Sequence, residues 1–296
     1  MAILVDRQTR LLVQGMTGRA GTFYTDLAID YGTNVVAGVR PGKGGTRHIA
    51  LPLFDSVAEA ERETGANASL IFVPAPQAGP AMIEAIEAEL PLAICVTERV
   101  PTLDMIRVRQ ALKGSATRLV GPNSQGVLSP GKCKAGVMST ADARPGRIGI
   151  VSRSASLTSE IVAQTSAAGL GQSTTVGIGA DQLHGIGFVD CLRLFHEDDE
   201  TDGVIVIGEI GGSEEEMAAD YLGRARYRKP VVALVAGRHA PPERRMGHAG
   251  AFTIFGHGRA AAKVDSLRSA GALIAETADL VAETMRRALL EKEKAA

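Results

Sequence analysis

Two residues stand out because their type and setting suit group-transfer chemistry. His248 lies in Arg244-Arg245-Met246-Gly247-His248-Ala249-Gly250-Ala251. Small residues on both sides leave the imidazole open to a reactant, glycine permits a mobile loop, and the two arginines suit a phosphate. A histidine acting as a nucleophile needs its second ring nitrogen oriented, commonly by a carboxylate. Glu209, in Ile207-Gly208-Glu209-Ile210-Gly211-Gly212, fits that task. It ends an apolar run that reads as a buried strand, and α/β sites form at the carboxyl ends of such strands. The other histidines, at 48, 184, 196, 239 and 257, show no metal-ligand spacing on a helix.

Three further segments could meet an anion. Gly15-Met16-Thr17-Gly18-Arg19-Ala20-Gly21 follows an apolar run and opens a helical pattern. Its spacing is G-x-x-G-x-x-G, not the G-x-G-x-x-G of dinucleotide binders. Such a turn serves a tight βα connection as readily as a phosphate. After the second apolar run comes Arg40-Pro41-Gly42-Lys43-Gly44-Gly45. A NAD site places an acid there for the ribose hydroxyls, whereas cations suit an extra phosphate, as on NADP or at the 3′-phosphate of coenzyme A. The third segment, Ser152-Arg153-Ser154-Ala155-Ser156-Leu157-Thr158-Ser159-Glu160, puts hydroxyls before an apolar-periodic helix. This is a helix cap and equally a second anion site. The chain has no G-x-x-x-x-G-K-[ST] loop, no G-x-S-x-G elbow and no HExxH pair.

The elements that must position these residues alternate. Strand-length runs recur at Leu11–Gln14, Asn34–Val39, Ala68–Val73, Leu92–Val96 and Arg118–Gly121. Helical patterns at Thr22–Tyr31, Ser56–Thr64, Gly79–Leu90 and Thr102–Leu112 separate them. A second series has strands at Arg147–Ser152, Ser173–Gly177, Gly203–Glu209, Val231–Gly237 and Ala272–Ala275. Its helices are expected at Leu157–Ala168, Gly187–His196, Ser213–Arg226, Ala260–Ala270 and Ala278–Lys294. The runs are rich in Val, Ile and Leu without alternation, as strands covered on both faces should be. Alternation of β and α predicts parallel, doubly wound sheets. The polar, Pro/Gly-bearing stretch Ser129–Pro145 reads as a link, giving domains at 1–130 and 146–296 joined by 131–145.

Composition excludes several classes. The 296 residues carry a net charge of −1 and contain 4% aromatics with no Trp. There is no electrostatic footprint for nucleic acid or an anionic membrane surface, and few platforms for stacking bases. Thirty-four glycines point to backbone-lined pockets for a small anion. Three distant cysteines without CxxC argue against disulfides or zinc. No signal-like segment or apolar run of membrane-spanning length occurs, and a reducing cytoplasm is expected.

Taken together the residues resemble the alpha subunit of succinyl-CoA synthetase and its relatives, the nucleoside-diphosphate-forming acyl-CoA ligases, malate–CoA ligase among them. The matching stretches are Gly15–Phe23, Pro41–Gly45, Phe72–Pro74, Val96–Glu98, Gly121–Asn123, Ser152–Ser154, Val176–Gly179, Ile207–Gly212 and Arg245–Gly250. They run in order over nearly the whole chain. The resemblance implies a Rossmann-like CoA-binding domain followed by a flavodoxin-like ligase domain. It implies that CoA is held by Thr17, Gly18, Arg19, Ala20 and Lys43, with Val96, Thr97 and Glu98 near the pantetheine. It implies that His248 is phosphorylated and braced by Glu209, and that acid and phosphate meet Asn123, Ser124, Ser154, Ala155 and Ser159. It further implies a beta subunit of ATP-grasp fold, in a heterodimer or heterotetramer, that binds ATP or GTP with Mg²⁺. No metal site is implied on this chain.

The departures from the family pattern cluster near the expected acid site. A tyrosine of the usual SRSGTLTYE-like stretch is Ser159 here. The GPNCPG-like stretch reads Gly121-Pro122-Asn123-Ser124-Gln125-Gly126, and the GGDPINGTNF-like stretch spans Gly179–Phe188 with His184 inside it. The expected consequence is a retained reaction with altered acid specificity, for instance toward malate or citrate. Two rivals stand beside this reading: an NADP-dependent oxidoreductase, which gives His248 and Glu209 no joint purpose, and a CoA-binding subunit without activity.

Overall fold

A computed structural model of the chain describes residues 2–241, 244, 246–248, 250–253 and 257–295. Arg245 and Ala249, named above, lie outside the described residues. The chain divides into two compact units. One comprises Leu4–Met138 with Leu183–Gly185; the other comprises Met1–Ile3, Ser139–Gln182 and Ile186–Ala296.

The first unit runs β1 (Leu11–Gln14), α1 (Arg19–Asp30), β2 (Val35–Val39), β3 (Arg47–His48), β4 (Leu51–Phe54), α2 (Val57–Thr64) and β5 (Ala68–Ile71). It continues with α3 (Ala75–Glu87), β6 (Leu92–Cys95), α4 (Thr102–Ala111), β7 (Arg118–Val120), β8 (Gly126–Ser129) and β9 (Cys133–Gly136). The sheet order is β3-β4-β2-β1-β5-β6-β7. Every pairing is parallel except that of β3 with β4. Setting aside the two-residue β3, this is the doubly wound Rossmann order, with its topological switch beside β1. Gln14 lies opposite Val39 on one side and Ile71 on the other. The central strands are fully buried, and Leu12, Ile71, Met82, Ala93 and Val108 belong to one apolar cluster. That burial on both faces is why the runs lack alternation.

Three local features differ from the sequence-based expectation. Helix α3 begins at Ala75 rather than Gly79 and carries Pro80 inside it. Pro76 sits in the first turn, where its missing N–H has no helical partner, while Pro80, in the second turn, forgoes one i→i−4 bond. Arg47–His48 and Leu51–Phe54 pair as a short antiparallel edge, unsignalled because Pro52 disguises the run. Within the 131–145 stretch, β9 pairs antiparallel with β8, Gly126 opposite Gly136.

The second unit contains β10 (Pro145–Ser152), α5 (Ala155–Ala167), β11 (Gln172–Gly177), α6 (Phe188–Glu197) and β12 (Gly203–Glu209). It continues with α7 (Glu214–Arg224), β13 (Val231–Ala236), α8 (Ala260–Ser269), β14 (Leu273–Ile274) and α9 (Val281–Ala295). Its parallel strands stand in the order β14-β13-β12-β10-β11. Counted from β10 this is the flavodoxin-like order 2-1-3-4-5, whose switch point falls between the first and third strands. Here those are β10 and β12, which carry Ser152 and Glu209 at their carboxyl ends.

Candidate active site

In the first unit the turns leaving β1, β2, β5, β6 and β7 share one sheet edge. Gly15 adopts φ +81° and its N–H donates to Val39 O at 3.1 Å, tying the first turn to the end of β2. A Cβ at Gly21 would lie 2.2 Å from Gly15 O, so only glycine lets the helix start pack on the turn. No side chain caps α1 at Gly18, which leaves its first-turn N–H groups for an anion. Thr17 is half-buried, while Gly18, Arg19 and Ala20 are exposed. Arg40 donates to Thr17 Oγ1, bringing a second cation to the loop. Thr22 Oγ1 donates to Met16 O at 2.9 Å and meets His48 Nε2 at 2.8 Å.

Lys43 is exposed at its side chain but fixed at its backbone. Asp55 Oδ1 accepts the N–H groups of Lys43 (3.0 Å) and Gly44 (2.8 Å). The bond from Gly44 is the main reason that the Asp55 carboxyl sits below its ordinary value. Thr97 Oγ1 donates to Val73 O at 2.7 Å, and Asn123 N–H donates to Thr97 O at 2.9 Å. These bonds join the turns after β5, β6 and β7. Val96 is half-buried and Glu98 exposed. Ser124 is buried, and its hydroxyl accepts Gly126 N–H at 2.8 Å, shaping the entry to β8.

In the second unit the switch point holds the ionisable groups. Ser154 caps α5, its Oγ accepting Leu157 N–H at 3.3 Å. Ala155 and Ser159 are exposed, and the Ser159 hydroxyl donates back to Ala155 O at 3.3 Å. Glu209 is only 6% exposed. Its Oε2 lies 2.6 Å from Nδ1 of the half-buried His248. An ionised carboxylate only accepts, so this contact places the proton on Nδ1 and leaves the lone pair of the neutral ring on Nε2. The hydrogen bond it donates to Glu209 raises the His248 pKa above its ordinary value, against burial and the charge of Arg153.

Glycines let the histidine loop reach this point. Gly247 has φ +76°, Ala251 N–H donates to His248 O at 3.1 Å, and Met246 N–H donates to Ala251 O at 2.8 Å. Gly211 has no side chain where a Cβ would sit 1.9 Å from Gly250 O. The loop therefore packs directly on the turn that follows Glu209.

The residues read from the sequence thus form two groups. Thr17, Gly18, Arg19, Ala20, Lys43, Val96, Thr97, Glu98, Asn123 and Ser124 lie at strand ends of the first unit. Ser154, Ala155, Ser159, Glu209 and His248 lie in the second. Arg244 is exposed. Sequence reasoning read Arg40 only as one of the cations after the second strand and assigned no task to His48, Asp55 or Arg153. Arg153 had a signal, since a cation directly after a buried strand is rarely surface filler. Among the described residues no helix is long and apolar enough to cross a membrane.

Residues 6–99 match the family described as CoA binding domain, and residues 151–273 match CoA-ligase. The chain is 47% identical over 291 residues to the succinate–CoA ligase [ADP-forming] subunit alpha of Staphylococcus aureus, covering 98% of this chain and 96% of the relative. It is 48% identical over 289 residues to succinate–CoA ligase [ADP-forming] subunit alpha 2 of Archaeoglobus fulgidus, covering 96% and 100%. Among solved structures, an ATP citrate lyase from Methanothrix soehngenii, in complex with citrate and coenzyme A, shares the fold with a TM-score of 0.87 at 24% identity. That match covers 99% of this chain and 51% of the lyase, so the chain spans about half of that larger protein. A dinucleotide-forming acetyl-coenzyme A synthetase from Ca. Korarchaeum cryptofilum shares the fold with a TM-score of 0.75 at 20% identity, over 92% of this chain and 59% of that one. With two family matches in the expected order and full-length relatives at nearly half identity, the chain belongs to the family of succinate–CoA ligase alpha subunits.

Proposed function

We propose that the chain is the alpha subunit of a nucleoside-diphosphate-forming carboxylate–CoA ligase that works through phosphohistidine and an acyl phosphate. The observation that carries this reading is the 2.6 Å contact between His248 Nδ1 and Glu209 Oε2 at the switch point of the second unit. Glu209 orients the ring, so Nε2 attacks the γ-phosphoryl group of a nucleoside triphosphate and the diphosphate leaves. The phosphoryl group then passes from Nε2 to a carboxylate oxygen of the acid, giving an acyl phosphate. Attack of the CoA thiol on the acyl carbon expels phosphate and forms the thioester. The α5 amino end behind Ser154 and Ala155 offers N–H groups to phosphate during transfer.

The first unit fits coenzyme A by its own features. Gly15, Gly18 and Gly21 bear no Cβ in the first loop, the α1 start is uncapped, and Arg40 and Lys43 bring cations to the same edge. Thr17, Gly18, Arg19, Ala20 and Lys43 would hold the phosphates, with Val96, Thr97 and Glu98 along the pantetheine. The nucleotide and its Mg²⁺ belong to a beta subunit of ATP-grasp fold, in an αβ or larger assembly in the cytoplasm. The acid is a di- or tricarboxylate. A second reading, malate or another hydroxylated dicarboxylate, is favoured by the exposed hydroxyl of Ser159.

The test is phosphorylation of the co-purified subunits by labelled ATP or GTP. An acid-labile label on this chain that disappears in His248→Asn is expected; an unlabelled wild-type chain overturns the ligase reading. Titration with CoA and NADPH separates the oxidoreductase alternative, since only CoA is expected to bind. A panel of succinate, malate and citrate assayed for thioester formation assigns the acid. Succinate far ahead of malate would remove the second reading.

A further inference from the structure

The switch point buries one more charge than the proposed chemistry uses. Arg153 follows β10 directly, and its side chain is 5% exposed, against 8% for Glu209. Its Nε lies 3.3 Å from Glu209 Oε1. On its other edge Nη2 donates to Ala180 O at 3.2 Å, and Nη1 lies 3.8 Å from Glu214 Oε2. The Arg153 Nε and Glu209 Oε1 atoms are both buried without an aligned hydrogen bond. Their mutual ion contact is therefore what offsets their removal from water. The Glu209 carboxylate is shared, Oε1 toward the guanidinium and Oε2 toward the imidazole.

We infer that Arg153 is a positioning residue for His248, fixing the Oε1 edge of Glu209 so that Oε2 alone meets Nδ1 and Nε2 stays the phosphoryl acceptor. This rests on the proposed phosphohistidine chemistry. A carboxylate held at one edge only can turn about its last side-chain torsion, which is broad and roughly two-fold. Anchored by a guanidinium that is itself hooked to Ala180 O, it presents one oxygen. A lysine supplies the charge without the planar fork and does not substitute geometrically.

The arrangement also divides the charge acting on the ring. The groups facing His248 are Glu209 at the end of β12, Arg153 after β10, Asp181 after β11, and Glu214, which pairs with Arg153, at the start of α7. Glu209 and Asp181 favour the imidazolium, and Arg153 opposes it. Removing Arg153 therefore makes His248 harder to deprotonate, and a protonated ring is no nucleophile.

The experiment uses Arg153→Gln and Arg153→Lys in the full-length chain with its partner subunit. It reads the single-turnover phosphorylation rate against pH, together with the NMR titration of ring-labelled His248. For Arg153→Gln the titration is expected to move up by about half a unit or more. The acid limb of the rate profile should move with it, and the rate at neutral pH should fall about 10- to 100-fold. For Arg153→Lys the titration should stay near wild type while the rate still falls, because charge is kept and the fork lost. A merely structural residue would lower the amount of folded protein without moving the His248 titration upward. An unchanged or lowered His248 titration in Arg153→Gln overturns the inference. Should that variant not fold, a wild-type phosphorylation rate in Arg153→Lys overturns it. Failure of the phosphohistidine reading is distinct: wild-type protein then takes no label, while the NMR titration still reads the Arg153–Glu209–His248 arrangement.

Discussion

Behind the candidate active site, Lys263 of α8 is fully buried with the equally buried Glu215 of α7. Lys263 Nζ donates to Glu215, to Glu216 Oε2 at 2.9 Å and to Gly212 O at 3.1 Å. Glu215 Oε1 in turn accepts the N–H of Glu209 at 3.0 Å. Burial holds the Glu215 carboxyl above its ordinary value even beside Lys263, so desolvation outweighs attraction for this group. Lys263→Met would leave that carboxylate in a dry site without its cation. Breaking one partner of a buried pair costs about 3–5 kcal/mol, which for a unit of this size lowers Tm by about 10 °C or more. The double variant Lys263→Met with Glu215→Gln removes both charges, and the Gln oxygen still accepts from Glu209. Gly212 is exposed, so water can serve its carbonyl. The double variant should therefore lie within about 1–2 kcal/mol of wild type, at least about 1 kcal/mol less damaging than Lys263→Met alone, and a double-mutant cycle that includes the Glu215→Gln single isolates the coupling. Thermal and urea unfolding of the four proteins side by side is the assay. A Lys263→Met variant within about 1 kcal/mol of wild type, or a double variant as unstable as the single, would refute the reasoning.

Three other outcomes follow from the same distances. Glu209→Gln removes the charge that raises the His248 pKa, so the NMR titration of His248 should move down. Because the folded value is raised, the pair adds stability that is complete below about pH 6.5 and is lost as pH rises through the folded value. The variant should flatten the pH dependence of Tm in that window, and an upward or absent titration shift would count against the pairing. Gly21→Ala drives a Cβ to within 2.2 Å of Gly15 O. The turn must open, at a cost of about 1–3 kcal/mol, and CoA affinity by calorimetry should fall at least about tenfold; unchanged affinity would dissociate the loop from CoA. Arg147 and Asp202 pair at the surface, both about half-exposed, so Arg147→Ala should change stability by less than about 1 kcal/mol; a larger loss in urea unfolding would show the pair to be shielded from water.

What was legible in the sequence and what was not divide along a physical line. The strands at Ile148–Val151 and Gly203–Ile207 could be read because two-sided burial demands unbroken apolar runs. Glu209 was legible because a carboxylate has no packing reason to end such a run, and His248 because glycines and alanines around it sacrifice packing for access. Local signals misled at Pro74 and Pro76, which fall at the start of the helix where proline is tolerated, and at Pro80, which the helix carries inside it at the loss of one bond. No local signal exists for Lys263. In Ala260-Ala261-Ala262-Lys263-Val264 it reads as a solvated helix face, and its burial depends on partners some fifty residues away. Those partners depend in turn on Gly208, where a Cβ would sit 2.5 Å from Glu215 Oε1. A glycine that reads as a flexible point before Glu209 is therefore the space that lets a buried carboxylate hold the Glu209 backbone. A charge becomes structural only through the small residues that admit it, and the pairing appears once the strands and helices that carry both are in place.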